Sequence, residues 1–159
     1  MRTIILLLLI AITLNAPVWA QSWPQQPPAI GRLYLKQEYW GYIQEAARKY
    51  NISPYLIQAV AAIESRFDQD AKSGRCVGLM QLHKDTAKKY GVNPHNPREN
   101  IMGGAAVLAK FLERYDGDIR KVLKKYNASW NSAYEREVLR AYAQALTAGA
   151  SAPRRKFKN

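Results

Sequence analysis

An apolar helix that ends on a glutamate constrains the fold of this chain more than any other feature. Ser53 and Pro54 suit the cap and the first position of a helix, and apolar residues then recur at helical spacing up to residue 63. Glu64 follows directly, although a glutamate is seldom fully buried without a partner. Apolar surroundings raise the pKa of a carboxyl group, because they penalise its charged form. Glu64 is therefore either an acid catalyst or simply the first polar residue at the helix end.

Helical periodicity continues along most of the chain. The spacing of apolar residues predicts helices near residues 39–50, 54–64, 86–90, 101–115, 119–126 and 134–146. Residues 68–80 lack a clear period and contain turn-forming residues, so they predict an irregular loop or a small β-hairpin. Neither an internal repeat nor a glycine-rich phosphate loop is found. The sequence therefore predicts one mostly α domain over residues 35–146.

The two ends of the chain differ from this domain. Residues 1–20 combine the basic Arg2, an apolar stretch and the small residue Ala20, which is typical of a secretory signal peptide cleaved after Ala20. The alternative is a membrane anchor, but the apolar stretch is shorter than the ~18–20 residues that a span needs. Residues 21–34 are rich in Pro and Gln, and residues 147–159 form a basic C-terminal tail. With cleavage, the protein is expected in the periplasm.

Charge and cysteine content narrow the partners and the chemistry. The chain carries 24 basic and 12 acidic residues, a formal net charge of +12, which favours an anionic partner. A nucleic-acid partner is not expected, because the signal-peptide pattern predicts export and the chain carries no nucleic-acid recognition motif. The single cysteine, Cys76, cannot form an internal disulfide and is interpreted as a buried structural thiol. His83 and His95 lack the spacing of zinc ligands, so no metal site is predicted.

Four short motifs follow one another along the predicted domain. They are Glu-Ser-x-Phe at 64–67, Gly-Leu-Met-Gln-Leu at 78–82 with Thr-Ala at 86–87, Asn-Pro-x-x-Asn-Ile-x-x-Gly at 96–104, and Tyr-Asn-Ala at 126–128. Each alone has a plain structural explanation. The ordered set resembles the catalytic domain of the soluble lytic transglycosylases, relatives of goose-type lysozyme, over about residues 42–143. The resemblance implies a lysozyme-like fold.

The resemblance also implies an activity. In that family one glutamate, here Glu64, protonates the glycosidic oxygen between N-acetylmuramic acid and N-acetylglucosamine in the glycan strands of peptidoglycan. It then acts as base while the muramic 6-hydroxyl attacks C1, which leaves a 1,6-anhydro end. Tyr126 is expected to bring its hydroxyl to this carboxyl, and neither a metal nor an organic cofactor is expected. The substrate-binding and supporting residues that the resemblance implies are Ser65, Ser73, Met80, Gln81, Tyr126 and Asn127.

Several alternatives stay open at this point. The loop "KSGRCV" is one residue shorter than in relatives, so either Ser73 or Lys72 occupies the substrate-contacting position, with Ser73 favoured. A hydrolytic muramidase of the same superfamily is the close alternative, and if Asp68 lies across the cleft, a second carboxyl is present that would allow hydrolysis. A non-catalytic peptidoglycan-binding or scaffold protein is the alternative from another class. Small single-domain enzymes of this kind often serve local wall opening, so the resemblance also implies a role with an envelope-spanning secretion, conjugation or pilus machinery.

Overall fold

The computed structural model describes residues 23–127, 129 and 131–151. Over these residues the chain is mostly helical, with one small sheet. The elements, in chain order, are α1 (Gln37–Tyr50), α2 (Pro54–Ser65), β1 (Lys72–Ser73), β2 (Cys76–Val77), β3 (Leu82–His83), α3 (Lys84–Tyr90), α4 (Pro97–Arg114), α5 (Ile119–Tyr126) and α6 (Ser132–Ser151).

The second helix, α2, forms the centre of the core. It packs against α1, α4 and α6, and nearly all of its residues are buried. Pro54 occupies its first turn, as the sequence predicts, whereas the side chain of Ser53 forms no capping hydrogen bond. The helix ends where Arg66 adopts a left-handed backbone with φ of +56°, and its N–H bonds to the carbonyl of Ala62. Glu64 therefore lies in the last turn, where the buried helix reaches the surface.

Of the two alternatives for residues 68–80, an irregular loop or a small hairpin, the structure forms the hairpin and adds a third strand. The sheet is antiparallel in the order β1-β2-β3, with Ser73 opposite Cys76 and Cys76 opposite His83. Two glycines of α4 let this segment lie close to the helix. A Cβ atom at Gly104 would come within 2.7 Å of the Met80 Cβ atom, and one at Gly103 within 2.6 Å of the Leu82 side chain.

The Pro- and Gln-rich segment packs on the helical domain. The carbonyl of Pro24 accepts a hydrogen bond of 2.9 Å from the Trp40 indole N–H. The carbonyl of Pro28 accepts one of 2.6 Å from the buried Gln58 amide. Residues 23–34 therefore belong to the folded unit, although the sequence predicts that the domain starts at residue 35.

The two predicted terminal segments are described only in part. The signal-peptide prediction for residues 1–20 lies outside the described residues. Helix α6 continues past the predicted boundary at residue 146 to Ser151, and the rest of the basic tail lies outside the described residues. Within the described ranges, none of the helices has both the length and the apolarity that a bilayer crossing requires.

Candidate active site

Glu64 is partly buried and has one hydrogen-bond donor that the sequence did not predict. The hydroxyl of Tyr134, in the first turn of α6, donates a hydrogen bond of 2.7 Å to Glu64 Oε1. Burial raises the pKa of Glu64 above its ordinary value, and the hydrogen bond from Tyr134 lowers it by a smaller amount. Burial and the negative charge of Glu64 hold the pKa of Tyr134 far above its usual value, so this hydroxyl stays a neutral donor.

Glu64 lines a cleft of about 440 Å³, together with residues of the sheet and with Tyr126, Asn127 and Ser129. Both polar and apolar side chains line it, which suits an amphipathic ligand such as a sugar. Among the described residues that line the cleft, Glu64 is the only acidic one. The lining residues are Glu64, Ser73, Cys76, Gln81, Leu82, His83, Thr86, Val107, Tyr126, Asn127 and Ser129.

A buried polar network fixes the segment 77–81 beside Glu64. The side chain of Asn100 is 1% exposed; it accepts a hydrogen bond from the Met80 N–H and donates to the carbonyls of Val77 and Pro94, each at 2.8 Å. The Ser65 hydroxyl lies 2.8 Å from the carbonyl of Leu79. Ser65 thereby ties the end of α2 to this segment. The role of Asn100 was not predicted, although an amide inside an apolar helix face is a signal for such a network.

The tyrosine next to the carboxyl is not the one expected. The hydroxyl of Tyr126 donates a hydrogen bond of 2.9 Å to the carbonyl of Met80, so the expected bond to Glu64 is absent from the described contacts of this residue. Tyr134 makes that bond instead. Tyr126 still lines the cleft, and burial, together with the charge of Glu64, raises its pKa well above the usual value.

Met80 and Gln81 occupy different environments. The Met80 side chain is fully buried against Gly104, so the expected contact of Met80 with the sugars finds no support in its position. Gln81 lies in the cleft, with a left-handed backbone at φ of +43°. Its amide nitrogen donates to the carbonyls of Ala71 and Gly78 at 3.0 and 3.1 Å, which holds the side chain in place.

The remaining predicted residues divide between the cleft and the surface. Ser73 and Asn127 both line the cleft, and Lys72 is an exposed strand residue outside the lining set. Asp68 is exposed and accepts a hydrogen bond from the Asp70 N–H at 2.9 Å. Asp68 is thus separate from the lining of the cleft, where a second catalytic carboxyl would have to lie.

Cys76 is half-buried and borders the cleft. It is therefore more exposed than the buried structural thiol that the sequence predicts. Burial and then the nearby charge of Glu64 raise the pKa of this thiol, which disfavours the nucleophilic thiolate. In the described part of the chain, there is no group of three or more His, Cys, Asp or Glu side chains that could hold a metal ion.

A larger groove of about 660 Å³ lies at the other end of α2, next to Leu56. Because α2 has 12 residues, the two ends of the helix are ~18 Å apart. The acidic side chain of this groove, Glu113, is exposed to solvent, whereas an acid catalyst at neutral pH needs a desolvated carboxyl. We therefore take the smaller cleft at Glu64 as the candidate active site.

The region of the chain that contains the cleft matches known proteins. The transglycosylase SLT domain matches residues 41–147, which is most of the chain. The chain belongs to this family. It is 41% identical over 98 residues to a transglycosylase of Enterobacteria phage PRD1, covering 60% of this chain and 37% of the phage protein. It is 35% identical over 100 residues to membrane-bound lytic murein transglycosylase F 1 of Alkalilimnicola ehrlichii, covering 60% of this chain and 20% of that protein.

The fold of this family member also matches a solved structure. An inactive mutant of the lytic transglycosylase Slt from Pseudomonas aeruginosa aligns with a TM-score of 0.50 at 24% identity. The alignment covers 69% of this chain and 23% of that chain. The expected lysozyme-like, mostly helical fold is therefore confirmed. The family member spans well under half the length of the curated relatives it matches.

Proposed function

We propose that this chain is a peptidoglycan lytic transglycosylase that cleaves the bond between N-acetylmuramic acid and N-acetylglucosamine. The observation that carries the proposal is Glu64, an acid with a raised pKa in a cleft whose other described lining residues are not acidic. Membership of the transglycosylase SLT domain family supports the same activity. A raised pKa keeps the carboxyl protonated closer to neutral pH, as a general acid requires.

In the proposed reaction, Glu64 first donates its proton to the glycosidic oxygen, and the bond from that oxygen to C1 of the muramic residue breaks. The acetamido group at C2 stabilises the positive charge that develops on the sugar. The Glu64 carboxylate then takes the proton of the muramic 6-hydroxyl while the 6-oxygen of the sugar bonds to C1. The product is a 1,6-anhydro ring, no water is consumed, and Glu64 ends protonated. A second carboxyl, which conventional glycosidases require, has no role in this reaction.

The other cleft residues receive supporting roles in this proposal. Gln81, Ser73 and Asn127 offer amide and hydroxyl groups along the cleft, which suit the hydroxyl and acetamido groups of a glycan. Tyr134 orients the Glu64 carboxyl, and Tyr126 holds the backbone at Met80. The side chains thus divide into those that would touch sugar and those that hold the acid in position.

We also propose that the chain acts on the wall from the periplasm. The signal-peptide pattern of residues 1–20 supports export with cleavage after Ala20, and the net charge of +12 suits a wall with anionic groups. A domain of this size suits local wall opening for a secretion, conjugation or pilus machinery. N-terminal sequencing of the protein from the cell envelope tests the export step, and a start near Gln21 is the expected result.

Mass analysis of digested wall sacculi tests the activity. A transglycosylase releases muropeptides with anhydro ends, which are lighter by one water than hydrolysed ends. Two carboxyl-to-amide variants, Glu64→Gln and Asp68→Asn, provide the comparison. We expect Glu64→Gln to lower release by about 10²–10⁴-fold or more and Asp68→Asn to retain it. Hydrated ends would identify a muramidase, and full activity of Glu64→Gln would withdraw the proposal.

A further inference from the structure

One row of side chains crosses all three strands of the sheet. Ser73 on β1 lies opposite Cys76 on β2, and Cys76 lies opposite His83 on β3. Directly opposed residues of antiparallel strands present their side chains on the same face, with Cβ atoms ~4.5–5.5 Å apart. All three residues line the cleft at Glu64. The cross-strand row Ser73–Cys76–His83 therefore forms one wall of that cleft.

His83 also caps the helix that follows the sheet, and this contact fixes its ring. It is the N-cap residue of α3, and its Nδ1 atom accepts a hydrogen bond of 3.2 Å from the Asp85 backbone N–H. An imidazole nitrogen that accepts a hydrogen bond carries no proton, so the proton of the neutral ring lies on Nε2. The capping contact thereby selects the tautomer of His83.

The charged groups around the ring are consistent with this arrangement. The Asp85 carboxylate lies 3.6 Å from His83 Nδ1, and its other oxygen forms an ion pair of 2.6 Å with Arg75. The side chain of His83 is 39% exposed, and none of the described residues accepts a hydrogen bond from Nε2. Because His83 lines the cleft, its Nε2–H is the donor that a ligand there could use.

We propose that His83 is a glycan-binding residue, whose Nε2–H donates to an oxygen of an N-acetylated sugar along the cross-strand row. This inference rests on the proposed function, because it takes the ligand of the cleft to be a glycan strand. The thiol of Cys76, protonated and between the two polar ends of the row, provides a weakly polar surface for the sugar. His83 binds substrate equally before and during the reaction, so its loss raises KM more than it lowers kcat.

The substitution His83→Asn separates binding from capping. Asparagine is a favourable N-cap residue, so it keeps α3 capped while it removes the Nε2–H donor. The matched control is His95→Asn, because His95 is exposed and outside the residues that line the cleft. Both are made in a Glu64→Gln background, which binds without turnover. The ligand is a soluble, uncrosslinked glycan of alternating N-acetylglucosamine and N-acetylmuramic acid, and titration calorimetry measures its Kd.

We expect His83→Asn to raise the Kd by about 2- to 12-fold, the contribution of one neutral hydrogen bond, with an unchanged melting temperature. His95→Asn leaves both quantities unchanged. Nitrogen-15 NMR of the imidazole rings should find the neutral ring of His83 protonated on Nε2. Two results would overturn this inference: an unchanged Kd in His83→Asn, or protonation of the neutral His83 ring on Nδ1. Either result leaves the proposed function intact. If the Glu64→Gln protein binds no glycan and the wild type releases no anhydro ends, the proposed function itself is wrong.

Discussion

The hydrogen bond from Tyr134 to Glu64 gives a sharp prediction about the pH dependence of activity. This bond stabilises the charged carboxylate, and so it opposes the rise in the Glu64 pKa that burial causes. Tyr134→Phe removes the donor and keeps the ring. The pKa of Glu64 should therefore rise further, and a general acid with a higher pKa stays protonated to a higher pH. The alkaline limb of the pH–rate profile should shift upward.

The size of the effect follows from the kind of bond that is lost. A hydrogen bond to a charged group contributes about 1.5–3 kcal/mol, and 1.36 kcal/mol changes a protonation equilibrium tenfold. Water from the open cleft replaces part of the lost interaction, so we expect the lower end, about tenfold in the ratio of protonated to charged Glu64. At acidic pH the Glu64 carboxyl is protonated in both the wild type and Tyr134→Phe. Tyr134→Phe should then be the slower of the two enzymes, because its Glu64 carboxyl is less well oriented.

The matched control is Tyr126→Phe, which removes a hydroxyl of the same type that bonds to the Met80 carbonyl. This variant should leave the alkaline limb in place and lose about 1 kcal/mol of stability, because the carbonyl is left without its partner. The assay follows release of anhydromuropeptides from sacculi across pH, with thermal melts of each protein. An alkaline limb that stays fixed in Tyr134→Phe, or that moves in Tyr126→Phe instead, would refute the reasoning.

Three further substitutions test the acid and its supports. Glu64→Gln should lower the rate by 10²–10⁴-fold or more, measured as anhydromuropeptide release. Burial raises the Glu64 pKa above 4.5, so the wild type loses stability as pH rises through the interval between 4.5 and the raised pKa. Glu64→Gln should therefore melt at an equal or higher temperature than the wild type at pH 7. Any gain in melting temperature should vanish below about pH 4.5. Gly104→Ala should lower stability in denaturant titrations by about 1–3 kcal/mol, because its Cβ would overlap Met80. Asn100→Leu should destabilise by a similar amount and reduce activity in the same preparations, because the Met80 N–H loses its acceptor.

The helices and the hairpin could be predicted because their signals are local. Apolar residues recur every three or four positions along the helices, and glycines and turn formers mark the hairpin between residues 68 and 80. The third strand and the packing of residues 23–34 were missed. Leu82 and His83 form too short a strand to show a period, and Pro24 and Pro28 contact the core through backbone carbonyls, which every residue carries.

The site could be predicted only in part, for a similar reason. Glu64 stands out because a carboxyl after an apolar run is unusual, and the structure gives it the raised pKa that this reasoning requires. Tyr126 and Tyr134 both lie on apolar helix faces, so helical periodicity assigns both to the core and cannot choose between them. The choice depends on where α6 passes the end of α2, a contact between residues 70 positions apart. A hydroxyl that completes a site across such a distance leaves no local pattern, and only the folded chain shows that Tyr134 faces the acid.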